Sequence, residues 1–142
     1  MVVDHLGLVV KSIEQGIEYW EKVFGYKQMT EMVINTRQKV KVVFLSKENS
    51  LLIKLIEPTD ETSPVYKFAI KGGGLHHLAF RCKEITEEMT RLKSLGLRVI
   101  TNPQPGEAFE HNQIAFLLGN QALNIELIDT EIKANRIIHL TK

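Results

Sequence analysis

Four polar residues sit in strand-like apolar surroundings with side chains that could do chemistry: His5, Lys54, His77 and Glu126. Imidazole nitrogens and a carboxylate can ligate a metal or move a proton. An ammonium can neutralise a developing negative charge, or act as a base once desolvated. Glu126 lies between Ile125 and Leu127, in a run whose other polar member is Asn124. A carboxylate buried there without a partner is strongly disfavoured, so it must meet a cation, a donor or a metal. Lys54, between Ile53 and Leu55, poses the same problem. The simplest solution pairs Lys54 with Glu126. A sharper one gathers His5, His77 and Glu126 into a two-histidine, one-carboxylate metal site with open positions, a donor set suited to iron, nickel, cobalt, manganese or zinc.

The spacing argues that these residues belong together. His5 and His77 are 72 positions apart, and so are Lys54 and Glu126. At the same offset His5-Leu6-Gly7-Leu8 falls on His77-Leu78-Ala79-Phe80, and Val42-Val43-Phe44-Leu45 on Ile114-Ala115-Phe116-Leu117. Leu51 to Ile56 falls on Leu123 to Ile128. A repeat at fixed offset marks a duplicated structural unit. Alternate strand residues face opposite sides, so of His76 and His77 only one is expected to line a shared cavity. The repeat selects His77, and His76, His111 and His139 are read as structural histidines.

Each unit reads as strand, helix, then three strands. Residues 2–10 are apolar and β-branched, a buried strand. Ser12 followed by Gln15 is a capping box, and Ile13, Ile17, Trp20, Val23 and Phe24 form the apolar face of a helix that Gly25 ends. Strands follow over 26–34, 40–45 and 51–56. In the second unit, 75–82 is a strand and 84–95 a helix with Ile85, Met89, Leu92 and Leu95 on one face. A strand begins at 97–101, and strands over 113–118 and 122–129 complete the unit. Residues 102–112, with two prolines and a glycine, are expected to be the longest loop. The repeats span 2–57 and 75–129, with a linker at 58–74 holding a short helix at 65–70. They make one domain, 1–129, and a tail, 130–142, in which Ile137 and Ile138 could pack on a neighbouring surface.

The 142 residues are 44% hydrophobic and 25% charged, ordinary for a globular chain. The formal charge of +1, spread along the sequence, argues against nucleic acid or an anionic membrane as partner. No apolar run approaches the roughly 20 residues of a membrane span. Met1-Val2-Val3-Asp4 leads directly into the first repeated strand with no leader pattern. The lone cysteine, Cys82, fits a reducing, cytoplasmic setting, and its match to Val10 makes it core filler.

The repeated unit is accompanied by three recognisable stretches. They are Asp4-His5-Leu6-Gly7-Leu8-Val9-Val10-Lys11-Ser12-Ile13, the linker from Glu57-Pro58 to Ser63-Pro64-Val65-Tyr66-Lys67-Phe68, and Gly74-Leu75-His76-His77-Leu78-Ala79-Phe80. Together they resemble the vicinal oxygen chelate (glyoxalase/bleomycin resistance/dioxygenase) superfamily, nearest to methylmalonyl-CoA epimerase and glyoxalase I-like proteins, over residues 2–129. The resemblance implies an α+β fold in which two tandem βαβββ units form one curled mixed sheet enclosing a central cavity. It implies a divalent metal held by one residue from each of four strands: His5, position 54, His77 and Glu126. The implied reaction is metal-assisted proton transfer alpha to a carbonyl or acyl thioester, of isomerase or lyase type, on a small molecule such as an acyl-CoA. Homodimers are common in that family.

Two departures bear on the chemistry. The family's metal enzymes carry Gln or Glu where this chain has Lys54, and an ammonium has no lone pair to offer. Either three ligands hold the metal with Lys54 displaced or neutral, or Lys54 pairs with Glu126 and no metal binds. In some epimerases a third-strand carboxylate removes the proton, and that position falls near Val42. The family's Gly-rich loop is replaced by Pro105-Gly106-Glu107-Ala108-Phe109-Glu110-His111. Catalysis would then rest on Glu126, relaying a proton, and on Lys54, as base or as the charge facing an enolate oxygen. The competing reading is a metal-free, drug-sequestering binding protein with an aromatic cavity, for which Tyr19, Trp20, Phe44, Phe80, Phe109 and Phe116 are the candidates. A ring-cleaving dioxygenase is a third.

Overall fold

The computed structural model describes residues 1–137, so His139 and Ile138 of the tail fall outside it. Strand β1 (Val2–Val9), helix α1 (Ile13–Phe24) and strands β2 (Lys27–Gln28), β3 (Val33–Asn35), β4 (Val40–Ser46) and β5 (Leu52–Pro58) make up the first half. A short helix α2 (Tyr66–Ile70) leads to β6 (Gly74–Arg81), α3 (Ile85–Ser94), β7 (Arg98–Gly106), β8 (Asn112–Leu118) and β9 (Asn124–Ile128). The strands form one mixed, unclosed sheet in the order β2-β4-β5-β1-β6-β9-β8-β7, with β3 also on β4. β1 and β6 pair antiparallel at its centre, and each has a parallel partner on its outer side, β5 and β9. The arrangement of β1, β4 and β5 therefore recurs in β6, β8 and β9.

Strand parity sorts the side chains. Leu6, Leu8, Val43, Leu45, Ile53 and Leu55 pack with Ile13, Ile17 and Trp20 of α1 on one face. Leu78, Phe80, Ala115, Leu117, Ile125 and Leu127 pack under Ile85, Met89 and Leu92 of α3. The other face carries a third cluster, built around Val42, Phe44, Ile56, Phe109, Ile114 and Ile128. His5, Lys54, His77 and Glu126 belong to that face by parity, alternating with residues held under the helices.

The helix α1 starts where the capping pattern places it: the Ser12 hydroxyl accepts from the Gln15 amide, and Gly25 closes the helix at φ 73°. Its last turn is not buried, since Val23 and Phe24 are exposed. Leu95 is likewise exposed, past the end of α3. The strand expected over 26–34 is split into β2 and β3. Thr30 between them is buried, and its hydroxyl accepts from the Phe44 amide in place of a regular ladder.

The expected long loop at 102–112 is a second correction. β7 runs through both prolines to Gly106, followed by a 3-10 turn at Glu107–Phe109. As the outermost strand β7 has one side without a ladder, so the missing proline N–H groups are tolerated, with register irregularities around Thr101 and Gln104. The tail packs at 130–137: Glu31 donates to the Asn135 carbonyl, Ala134 to Ala108 and Ile137 to Met29.

Candidate metal and proton-transfer site

Register brings the four residues together. Lys54 lies opposite Gly7 in β1 and Phe44 in β4, while Glu126 lies opposite Ala79 in β6 and Phe116 in β8. A small residue beside each polar side chain leaves it room. At Gly7 the space is taken by the His77 ring, and a Cβ there would fall within it. Gly7 is thus a site-forming residue that only the break in an otherwise β-branched strand betrays in the sequence.

Glu126 Oε1 lies 3.0 Å from His5 Nε2 and 3.2 Å from His77 Nε2, and the two Nε2 atoms are 3.3 Å apart. All three residues are fully buried. Among the described residues neither Glu126 oxygen receives a hydrogen bond of acceptable geometry, although the imidazole nitrogens are within ion-pair distance of Oε1. A buried carboxylate without hydrogen bonds calls for a cation or proton; Lys54, 3.6 Å from Oε2, meets one oxygen and leaves Oε1 facing the two imidazoles. A metal bonded at about 2.1 Å holds neighbouring donors about 3.0 Å apart in octahedral and 3.4 Å in tetrahedral geometry. The three observed edges span that range, so the donor set fits a divalent ion.

The backbone explains the imidazole orientations. In the β1–β6 ladder Val3 pairs Phe80 and His5 pairs Ala79, leaving Asp4 as an extra residue; Gly7 pairs His77 and Leu8 pairs Leu75, leaving His76 as another. These two bulges are themselves 72 positions apart. A bulge lets adjacent side chains face the same side. Asp4 Oδ2 accepts from His5 Nδ1 at 2.6 Å, and His76 Nδ1 lies 2.9 Å from His77 Nδ1. Asp4 thereby fixes the proton of His5 on Nδ1 and leaves the Nε2 lone pair facing Glu126, the carboxylate–histidine arrangement common behind metal ligands. The expectation that His76 points away from the cavity does not hold: parity presumes an unbroken strand, and the bulge turns His76 onto the cavity wall. His111 does stay at the surface, with φ 65°.

Burial pushes the His77 ring down to about 3, so it is neutral with a lone pair available. Burial, reinforced by Lys54, also lowers His76. For Glu126 burial opposes the charge, but the Lys54 ammonium and the imidazoles outweigh it and hold the carboxyl well below its usual range. Lys54 Nζ is 3.6 Å from Glu126 Oε2 and lies over the rings of Phe44 and Phe109, at 5.9 and 5.2 Å from their centroids. The pairing expected from the simpler reading is present, alongside the triangle. Phe109 also stacks on His5. Its 3-10 turn is fastened by Glu107, which accepts from the amide and the hydroxyl of Thr36.

A cavity of about 220 Å³ opens beside Lys54, lined also by Val40, Val42, His76, Ile100, Phe116 and Asn124. Val42 stands in its wall, at the position that the resemblance assigns to an epimerase-like carboxylate. Of the aromatic candidates, Phe116 lines it, Phe44 and Phe109 lie behind Lys54, and Tyr19 is exposed on α1. Cys82 is half-buried, packed against the edge of the α3 cluster rather than inside it.

The profile of the Glyoxalase/Bleomycin resistance protein/Dioxygenase superfamily matches residues 4–116. The chain belongs to this superfamily. The Bacillus subtilis protein YqjC is 34% identical over 115 residues, 80% of each chain. An ethylmalonyl-CoA/methylmalonyl-CoA epimerase of Cereibacter sphaeroides is 26% identical over 116 residues, 80% of this chain and 85% of that one. The crystal structure of methylmalonyl-CoA epimerase from Mycobacterium tuberculosis superposes with a TM-score of 0.79 at 28% identity, covering 90% of this chain and 87% of the other. Among the described residues no helix is long and apolar enough to cross a membrane.

Proposed function

We propose that this chain is an epimerase-like enzyme that moves a proton on the carbon alpha to the carbonyl of a small acyl thioester, with His5, His77 and Glu126 holding a divalent metal. The observation that carries this reading is the triangle of His5 Nε2, His77 Nε2 and Glu126 Oε1, 3.0 to 3.3 Å on a side, beside the cavity that Lys54 and His76 line. The epimerase relatives point to acyl-CoA as the thioester. When bound, the ion would polarise the carbonyl and lower the barrier to alpha-proton loss.

The chain's own residues do the rest. Asp4 orients His5, and His76 orients His77. Lys54 presents positive charge to the oxygen on which the enolate develops. With Val42 in place of a third-strand carboxylate, the cavity-facing groups able to exchange a proton are Lys54 and His76. His76 is neutral and so able to accept one. Glu126 lies beneath Lys54, where it can relay a proton rather than meet the substrate.

The test is deuterium incorporation at the alpha carbon of methylmalonyl-CoA or propionyl-CoA in heavy water, followed by NMR with Co²⁺ and with chelator. Metal-dependent incorporation that His77→Ala abolishes supports the reading; no incorporation with either thioester overturns it. A second reading, a metal-free binding protein, is favoured by Lys54 standing 3.6 Å from Glu126 at the fourth ligand position. It predicts ligand binding that chelator leaves unchanged and no exchange.

A further inference from the structure

The Lys54 ammonium is only 3% exposed, yet makes no hydrogen bond among the described residues. Its contact to Glu126 Oε2, at 3.6 Å, is an ion pair beyond hydrogen-bond length, and its other near neighbours are the faces of Phe44 and Phe109. A buried ammonium with unspent N–H donors is costly unless an acceptor meets it. It also lines the cavity, where it is the only formally charged group and no carboxylate stands among the described residues. No described residue lies within hydrogen-bond length of the ammonium, so its acceptor is left to the cavity's contents, water or ligand.

The surrounding charges balance one another except at the cavity wall. Asp4 and Glu126 are the buried carboxylates of this centre. Against them stand three cations: Lys54, the buried Lys133 at 3.1 Å from Asp4, and Arg81 at 3.1 Å from the same carboxylate. Of these carboxylates' neighbours only Glu131, which pairs with Arg81, adds negative charge, and its side chain is 80% exposed. Three cations thus face three carboxylates, and of these six groups only Lys54 reaches the cavity wall. At about 220 Å³ the cavity is smaller than the roughly 300–1,000 Å³ of sites that take drug-sized ligands. That suits a short acid and excludes a nucleotide-sized group, which would have to remain outside the mouth.

We infer that the cavity contains an anion subsite in which Lys54 donates to the carboxylate of a small organic acid, and that this subsite works without metal. Thr101 and Gln38, also in the wall, offer further polar contacts. The inference names a ligand class for the cavity used in the proton-transfer reading, but depends on the cavity and Lys54 rather than on the metal triangle.

The experiment uses the full chain, treated with chelator, and compares propionate with propionamide, which have nearly the same shape and differ in charge. Binding is followed by calorimetry and by shifts of cavity amides in NMR. Propionate is expected to bind at least about tenfold more tightly than propionamide. Lys54→Met should abolish that difference and Lys54→Arg should retain it. Equal binding of the two ligands, absence of binding by either, or discrimination that survives in Lys54→Met overturns the inference. The wild-type comparison alone decides the point if Lys54→Met fails to fold. Because no metal is present, failure of the proton-transfer reading would leave this result standing.

Discussion

Replacing Lys54 by Gln should convert the centre from a lysine-blocked triangle into a four-donor site. Lys54 Nζ and Glu126 Oε2 are 3.6 Å apart and both buried. At an effective dielectric of about 20 their attraction is about 5 kcal/mol before desolvation is subtracted. A divalent ion at Glu126 must compete with that attraction and also meet the ammonium's repulsion. Removing the ammonium leaves Glu126 uncompensated, which costs the metal-free protein about 3–5 kcal/mol. A bound metal restores the compensation. Lys54→Gln should therefore melt lower than wild type in chelator. Its Co²⁺ affinity should rise by at least about 100-fold, close to 3 kcal/mol. Titration by calorimetry, with the visible absorption of Co²⁺ as a coordination signature, reads the affinity; thermal melts with and without metal read the compensation. Equal or weaker Co²⁺ binding by Lys54→Gln would refute the reasoning, because it would mean that Lys54 does not compete for Glu126.

Three further expectations follow from the packing and the charges. Burial lowers His77 to about 3 in the fold against 6.5 when free, so between those values the unfolded chain binds the extra proton and stability falls as the pH is lowered. The metal-free protein should lose about 2 kcal/mol between about pH 7.5 and pH 5 from this residue, read as a lower urea midpoint; His77→Asn should flatten that slope, and an unchanged slope would contradict the assignment. Gly7→Ala places a methyl inside the His77 ring position, so it should destabilise by about 1–3 kcal/mol and weaken Co²⁺ binding more than tenfold, whereas wild-type affinity in this variant would show that His77 is not a ligand. Phe109→Ala empties a fully buried ring site against His5 and Phe44 and should cost about 3–5 kcal/mol by chemical denaturation; a loss below about 1 kcal/mol would show that the 3-10 turn does not close the centre.

The repeat made the central geometry legible. Residues at equal offsets in a duplicated unit occupy equivalent places, which is why His5, Lys54, His77 and Glu126 meet on one face of the sheet. Periodicity could not reveal the two bulges. A bulge adds one residue to one strand of a pair, a property of the ladder and not of the strand's own sequence, so His76 and Asp4 gave no separate sign. Yet they carry the same 72-residue offset, and Asp4 aligned with His76 was the available clue. The prolines of β7 misled because their cost depends on whether a partner strand lies on the N–H side, a tertiary fact. Lys133 was equally hidden: only the folded tail brings it to Asp4.

The most direct test of the central claim is the metal content of untagged protein, by elemental analysis, after exposure to a slight excess of Co²⁺ and desalting. The wild type is expected to retain close to one equivalent per chain, lost in His5→Ala and in Glu126→Gln. Retention of no metal by the wild type, or of equal metal by wild type and both variants, would contradict it.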